Sequence, residues 1–196
     1  MKKQILIALL SIFVLACAST KTNSAISNLS PETIQKNMVE ASELKPEHKL
    51  LSKMAGEWKV NAKFWMDPTA EPEISSGVAS SKLIYGGRYL DQKYKGKFMG
   101  KPFEGQGTMG YDNLGKKYFS TWIDSMSTMM MKSEGKTVND NSLTLESSMV
   151  CPMTREEMQS QEVITFLDKN TYRFETFQNS TDQKIKMMEL TYSRIH

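Results

Sequence analysis

The chain has few of the residues that build common catalytic and metal sites. It has two histidines, His48 and His196, and two cysteines, Cys17 and Cys151. Structural zinc sites need clustered Cys and His ligands, and catalytic triads need a histidine beside a nucleophile, so neither is predicted. Cys151 stands in a Cys-Pro loop without a nearby histidine, which makes it a poor candidate nucleophile. With no nucleotide or phosphate motif, the sequence predicts no cofactor and no metal.

A surplus of one charge is also missing. Twenty-five basic and 22 acidic residues give a formal charge of +3, and loss of Lys2 and Lys3 with a leader would lower it by two. Nucleic-acid-binding domains usually carry a strong basic surplus, so nucleic acid is not a predicted partner. One domain fits the length, and it is long enough to bury a core without disulfide bonds.

Only one long apolar run occurs, and it lies at the N-terminus. Met1-Lys2-Lys3 is followed by an apolar stretch from Ile5 to Leu15, interrupted only by Ser11. This run is short for a membrane-spanning helix, which needs about 20 apolar residues. Its basic start and the small residues that follow it are typical of a secretory signal peptide, predicted here as residues 1–16.

Two cleavage sites are compatible with this leader. Ordinary signal peptidase would cut after Ala18, which would give a secreted or soluble periplasmic protein. Val14-Leu15-Ala16-Cys17 resembles a bacterial lipobox, and Cys17 stands where the apolar run ends. We favour the second interpretation, in which Cys17 is lipidated and anchors the protein to a membrane of the bacterial envelope, facing the periplasm.

Residues 17–45 are interpreted as a flexible tether followed by a helix. Ser30-Pro31-Glu32 provides an N-cap, a proline at the first helical position and an acid in the first turn, so a helix is predicted from Pro31 to about Ser42. A second short helix begins near Pro46 and ends before Gly56. Its apolar residues share one face, and we expect that face to cover an apolar surface.

From Gly56 onward the hydrophobic period changes to two. Trp58, Val60, Ala62 and Phe64 alternate with polar residues, as in a half-buried strand. About nine further strand-like segments follow with short turns between them, which favours antiparallel pairing. Closing such a sheet removes its edges. The predicted fold of residues 46–196 is therefore an all-β, antiparallel up-and-down β-barrel of about ten strands, with a helical plug at one end.

The final strand supports closure. Arg194 falls in phase with Met188, Leu190 and Tyr192, so it should face inward beside Trp58 if the first and last strands pair. A cation–π contact of this kind contributes about 0.5–2 kcal/mol. The pair resembles the structural signature of the calycins, which include the lipocalins and fatty-acid-binding proteins. We interpret Trp58 and Arg194 as a structural latch.

A closer resemblance extends from Pro46 to Arg194. Six separated segments, in the same order, resemble the landmarks of the bacterial domain-of-unknown-function family 1579. That family has no established activity, so the resemblance implies the fold but assigns no catalytic residues. Val150-Cys151-Pro152 departs from the pattern, which has an acidic residue before Pro-Met-Thr. The segments are Pro46 to Leu51, Gly86-Gly87-Arg88, Pro102 to Gly105, Gly110 to Asn113, Ser120 to Thr128 and Lys186 to Tyr192.

Some polar residues share the phase of the predicted inner face. Arg88 and Gln92 align with Leu90 and Tyr94, and Ser120 and Asp124 face inward if Trp122 does. An inward polar group is costly unless it is paired, and it can orient the polar end of a ligand. The candidate ligand-binding residues are Arg88, Gln92, Tyr111, Trp122 and Asp124.

Three functions remain open at this stage. The first is non-enzymatic binding of a small apolar or amphipathic molecule inside the barrel. The second is an enzyme that uses Asp124 or Glu162 as a base, and the third is an interaction protein with a filled barrel. Copper binding by Met129-Met130-Met131 is disfavoured, because successive residues on a strand point to opposite faces.

Overall fold

The computed structural model describes residues 28–151, 154–180 and 183–196. The chain divides into two compact units, one that ends at Glu43 and one that spans Leu44–His196. The predicted leader and Cys17 lie outside the described residues. Across the described ranges, no helix has the length and apolar character needed to cross a bilayer.

The first unit contains helix α1 (Pro31–Ser42), whose bounds match the sequence prediction. Its start follows from local chemistry. Ser30 Oγ accepts a hydrogen bond from the Thr33 N–H at 3.2 Å, and proline occupies a position that needs no backbone donor. No residue of α1 is buried.

The second unit contains helix α2 (His48–Met54) and a closed barrel of ten antiparallel strands. Each strand pairs with its neighbours in the chain, and β1 pairs with β10 to close the sheet. The predicted up-and-down barrel, its strand number and its helical plug are therefore confirmed. The strands are β1 (Gly56–Phe64), β2 (Glu73–Ile84), β3 (Tyr89–Phe98), β4 (Lys101–Asp112), β5 (Lys117–Asp124), β6 (Met131–Asn139), β7 (Ser142–Val150), β8 (Glu157–Asp168), β9 (Thr171–Asn179) and β10 (Lys184–Arg194).

The inner face of the sheet follows the alternation of the sequence. On β1, Trp58, Val60 and Ala62 are buried, whereas Lys59 and Asn61 between them are exposed. Each large apolar side chain buried in this way contributes about 1.5–3 kcal/mol to folding. Because strand period and burial agree, the register of β1 is strongly specified.

Helix α2 covers one end of the barrel with its apolar face. Leu50, Leu51 and Met54 are buried and belong to the same core cluster as Trp58. The Tyr118 hydroxyl donates to the Glu47 carbonyl at 2.9 Å, which ties β5 to the start of the helix. This end is therefore closed by direct packing of α2 against the strands.

Trp58 and Arg194 join the end of α2 to the point where the barrel closes. Arg194 Cζ lies 4.1 Å from the centroid of the Trp58 ring, so the two side chains meet as their spacing predicted. Trp58 Nε1 donates to the Met54 carbonyl at 2.9 Å. Arg194 donates to the Ala55 carbonyl at 2.8 Å and to the Lys53 carbonyl at 3.1 Å. Both side chains thus satisfy carbonyls that the helix leaves unpaired at its C-terminus.

Candidate ligand-binding site

The inner face of the barrel is not equally buried along its length. Near α2, Leu90, Tyr118, Leu143 and Tyr172 are at most 3 % exposed. Further toward the other end, many inward-facing positions are only half-buried, whereas Tyr94, Ser133 and Ser160 remain buried. A solid interior packed to normal density would bury the half-buried large side chains as well, so they face accessible space. The half-buried set includes Gln92, Phe103, Trp122, Phe174, Met188 and Leu190.

Glu162 places a carboxyl group among these inward-facing residues. On β8 it pairs with Leu145 of β7 and Thr176 of β9, so all three side chains share the inner face. Its Oε2 accepts a hydrogen bond from Ser133 Oγ at 3.0 Å. Burial raises the pKa of Glu162 to about 7, and the Ser133 hydrogen bond opposes part of that shift.

Unused hydrogen-bonding capacity lies beside this carboxyl group. Thr176, which pairs with Glu162 across the sheet, has its Oγ1 buried without a hydrogen-bond partner in the described structure. A buried polar atom without a partner costs about 1–3 kcal/mol, which a ligand or an ordered water can offset. We name Ser133, Glu162 and Thr176 the Glu162 cluster.

Two large aromatic rings lie across glycines on the inner face. Trp122 on β5 covers Gly105 and Gly107 of β4, and a Cβ atom added at either glycine would collide with the indole. Tyr94 covers Gly96 of its own strand in the same way. Glycine in a strand interior often marks such a close approach. The missing side chains therefore let broad aromatic surfaces line the barrel.

Several predicted ligand contacts fall in different parts of the barrel. Gln92 and Trp122 lie on the inner face and are half-buried. Tyr111 lies near α2, with its ring 5.7 Å from the His48 ring and 4.9 Å from the Tyr118 ring, centroid to centroid. The structure thus brings Gln92 and Trp122 into the accessible interior and places Tyr111 under the plug helix.

Arg88 and Asp124 lie at opposite ends of the barrel. The backbone at Arg88 is helical, with φ −74° and ψ −31°, so the strand alternation used to place it begins only at Tyr89. Its guanidinium donates to the Tyr85 carbonyl at 3.1 Å. Asp124 Oδ1 accepts from the backbone N–H groups of Met126 at 2.9 Å and Ser127 at 3.2 Å. These contacts stabilise two strand connections.

From the sequence, Glu162 was predicted only as an alternative catalytic base, and Ser133 and Thr176 were not identified as site residues. The available signal was the alternation of Met158, Ser160, Glu162 and Ile164 along β8. Adjacent apolar residues at 163 and 164 obscured the phase, because both faces of the strand carry an apolar residue there. Serine and threonine suit either face of a sheet, so their orientation followed only from the strand register.

A concavity on the outer surface is a weaker candidate. A shallow groove of ≈ 450 Å³ lies over β6, β7 and β8 and is lined by Lys132, Glu134, Glu146, Ser147, Ser148 and Gln159. Most of these side chains are exposed. Charges in water lose little by remaining hydrated, so this groove has little to attract an apolar ligand.

The residues with metal-binding or nucleophilic chemistry have structural contacts. Within the described ranges, no three His, Cys, Asp or Glu side chains converge as metal ligands do. Cys151 is buried in a turn, where its N–H donates to the Glu156 carbonyl at 2.8 Å. His48 Nδ1 accepts from the Lys45 N–H at 3.0 Å, which fixes the start of α2.

The closed antiparallel barrel, the plug helix and the Trp58–Arg194 contact define a calycin-like β-barrel protein. The chain belongs to the family described as Protein of unknown function (DUF1579), whose model matches residues 43–194. No curated protein sequence matches it.

Two solved structures show the same fold. Rv2717c from M. tuberculosis is 15% identical, with a TM-score of 0.55, and the match covers 79% of this chain and 100% of that one. The S-type phycobiliprotein lyase CPES from Guillardia theta is 9% identical, with a TM-score of 0.52, and covers 81% of this chain and 97% of its own. At these identities the likeness concerns the fold alone.

Proposed function

We propose that this protein binds a small apolar or amphipathic molecule inside its barrel and does not act as an enzyme. The observation that carries the proposal is the partly accessible inner face, on which Trp122 and Phe174 accompany the Glu162 cluster. Ligand sites typically combine an apolar lining with a few polar groups that orient the ligand. The calycin-like fold is compatible with this use.

Native mass spectrometry of the protein purified from its own envelope tests the binding proposal. We expect a reproducible additional mass that is lost after denaturation and refolding in ligand-free buffer. A bare chain that also binds no added apolar compound would contradict the proposal, and it would favour an interaction protein with a filled barrel.

We further propose that lipidated Cys17 holds the barrel at the bacterial envelope, facing the periplasm. The support is the sequence of residues 1–17, with its basic start, apolar run and terminal cysteine. Cys17→Ser should move the protein from the membrane fraction to the soluble fraction and abolish labelling by a radioactive fatty acid. Cys151→Ser is the matched control and should leave both properties unchanged. An unlabelled wild type would favour cleavage after Ala18.

A second candidate function is an enzyme with Glu162 as general base. Burial raises the pKa of Glu162 to about 7, and general bases work best when their pKa lies near the operating pH. Asp124 is less suited to this role, because it accepts the hydrogen bonds of the β5–β6 connection. Chemical conversion of the co-purified molecule by the wild type, absent in Glu162→Gln, would support this alternative.

A further inference from the structure

Glu162 places a negative charge on the inner face of the barrel, and no positive charge lies opposite it on the neighbouring strands. On the strands that border Glu162, no described inward position carries a lysine, arginine or histidine. The inward arginine of β10, Arg194, already donates to two carbonyls at the α2 end. Glu162 therefore has a hydroxyl donor in Ser133 but no cationic partner among the residues that the structure describes. A buried carboxylate without a counter-ion is unfavourable, and a ligand can supply the missing charge.

We propose that the interior site takes an apolar molecule with a protonated amine head, and that Glu162 is its counter-ion. This proposal rests on the proposed binding function and names its ligand class. A fatty acid or another apolar anion would place a second negative charge beside Glu162, and no cation among the described inward positions nearby would offset it. An amine head instead forms a charge-assisted hydrogen bond with the carboxylate.

The surroundings of Glu162 suit the rest of such a molecule. Thr176 Oγ1 is buried without a partner in the described structure and can accept a further N–H of the amine. Trp122, Phe174 and Leu190 offer accessible aromatic and aliphatic surface on the same inner face. Aromatic faces also attract ammonium groups, so the lining does not oppose a cationic head.

The contact between Glu162 and the amine head also predicts how ligand binding depends on pH. The carboxyl group must be ionised to hold the amine, so below a pKa of about 7 each binding event releases a proton. The other titratable groups that face the interior from β9 and β10 are Tyr172 and Tyr192, and burial raises the pKa of both well above the physiological range. No titratable side chain faces inward from β6 or β7 within the described residues. Arg194 also faces inward from β10, at the α2 end, where it donates to two backbone carbonyls.

Three probes with the same alkyl chain test the proposal: dodecylamine, dodecanol and dodecanoic acid. Each is titrated below its micelle concentration into the full-length protein, with calorimetry and intrinsic tryptophan fluorescence as readouts. At neutral pH we expect dodecylamine to bind at least about tenfold more tightly than dodecanoic acid. Its affinity should fall about tenfold for each pH unit below the pKa of Glu162, whereas that of dodecanol should not change.

Glu162→Gln keeps the shape of the side chain and removes its charge. It should weaken the binding of dodecylamine at least about tenfold and remove its pH dependence, and it should leave the binding of dodecanol unchanged. Glu134→Gln, on the outer face of β6, is the control and should behave as the wild type. Circular dichroism checks that both variants fold.

The outcomes separate this proposal from the one on which it rests. Binding of dodecanol or dodecanoic acid without preference for the amine would overturn the ligand class and leave the binding function standing. An unchanged amine affinity in Glu162→Gln would likewise overturn the role of Glu162. Failure of all three probes to bind would overturn the ligand class, and together with a bare chain in native mass spectrometry it would overturn the binding function as well.

Discussion

Gly56 meets two separate constraints at the start of the barrel. Its φ of +135° is one that residues with a Cβ atom rarely adopt, and an added Cβ would collide with the Arg194 guanidinium. Gly87 has a φ of +92° but open space where its Cβ would stand. The two glycines therefore separate the cost of backbone strain from the cost of displacing Arg194.

Gly56→Ala should destabilise the protein more than Gly87→Ala does. Both substitutions introduce backbone strain of about 1–3 kcal/mol. Only Gly56→Ala also disturbs the hydrogen bonds from Arg194 to the end of α2, each of which contributes about 1–3 kcal/mol. Urea unfolding of both variants measures the difference. Equal losses would mean that Arg194 moves aside without cost.

Glu162 should make the ligand-free protein less stable as the pH rises. The pKa of Glu162 is about 7 in the folded state, against 4.5 for an unburied glutamate such as that of the unfolded chain. The folded state therefore holds the proton more tightly. Between these two values the unfolded state binds fewer protons, and the free energy of unfolding falls with pH. The loss contributed by Glu162 is complete above pH 7 and amounts to about 3 kcal/mol.

Chemical denaturation at about pH 4.5 and about pH 8 tests this dependence. Glu162→Gln should remove most of the loss in stability between the two pH values. Glu134→Gln replaces an exposed carboxylate that pairs with Lys117, and it should keep the wild-type slope. A slope that survives in Glu162→Gln would assign the pH dependence to another group.

Helix α2 provides the clearest test at the level of secondary structure. Leu51 has no exposed surface, whereas its neighbour Ser52 is exposed on the other side of the helix. Leu51→Ala should lower the free energy of unfolding by about 2–5 kcal/mol, because it leaves a cavity under the plug. Ser52→Ala should change it by no more than about 0.5 kcal/mol. A small effect of Leu51→Ala in thermal or urea unfolding would show that α2 is loosely attached.

The elements differed in how well the sequence predicted them. Strand β1 was clear because charged or polar residues separate Trp58, Val60 and Ala62, and α1 was clear because Ser30 and Pro31 mark its start. Glu162 was harder to place, because its strand mixes polar and apolar residues on both faces. Its partners come from β6 and β9, and only the register of the closed sheet brings them together.

On the scale of the whole molecule, the barrel unit should fold without the segment before it. All ten strands and α2 lie within Leu44–His196, and α1 has no buried residue. A chain that begins at Leu44 should therefore keep the unfolding free energy of the full protein to within about 0.5 kcal/mol. A chain that begins at Gly56 lacks the plug helix and should be much less stable. Circular dichroism and urea unfolding compare the three chains, and a Leu44 chain that fails to fold would assign α1 a structural role.

Because β1 pairs with β10, the barrel can close only after the last strand has been synthesised. A chain emerges from the ribosome N-terminus first, so β1 is complete long before Lys184–Arg194 exist. Until then one edge of β1 exposes unpaired N–H and C=O groups, which are a template for strands of other chains. A polypeptide that stalls or ends before Lys184 keeps this open edge permanently. Incomplete translation is therefore expected to give aggregates. Synthesis of β10 prevents this, because β10 pairs with the exposed edge of β1.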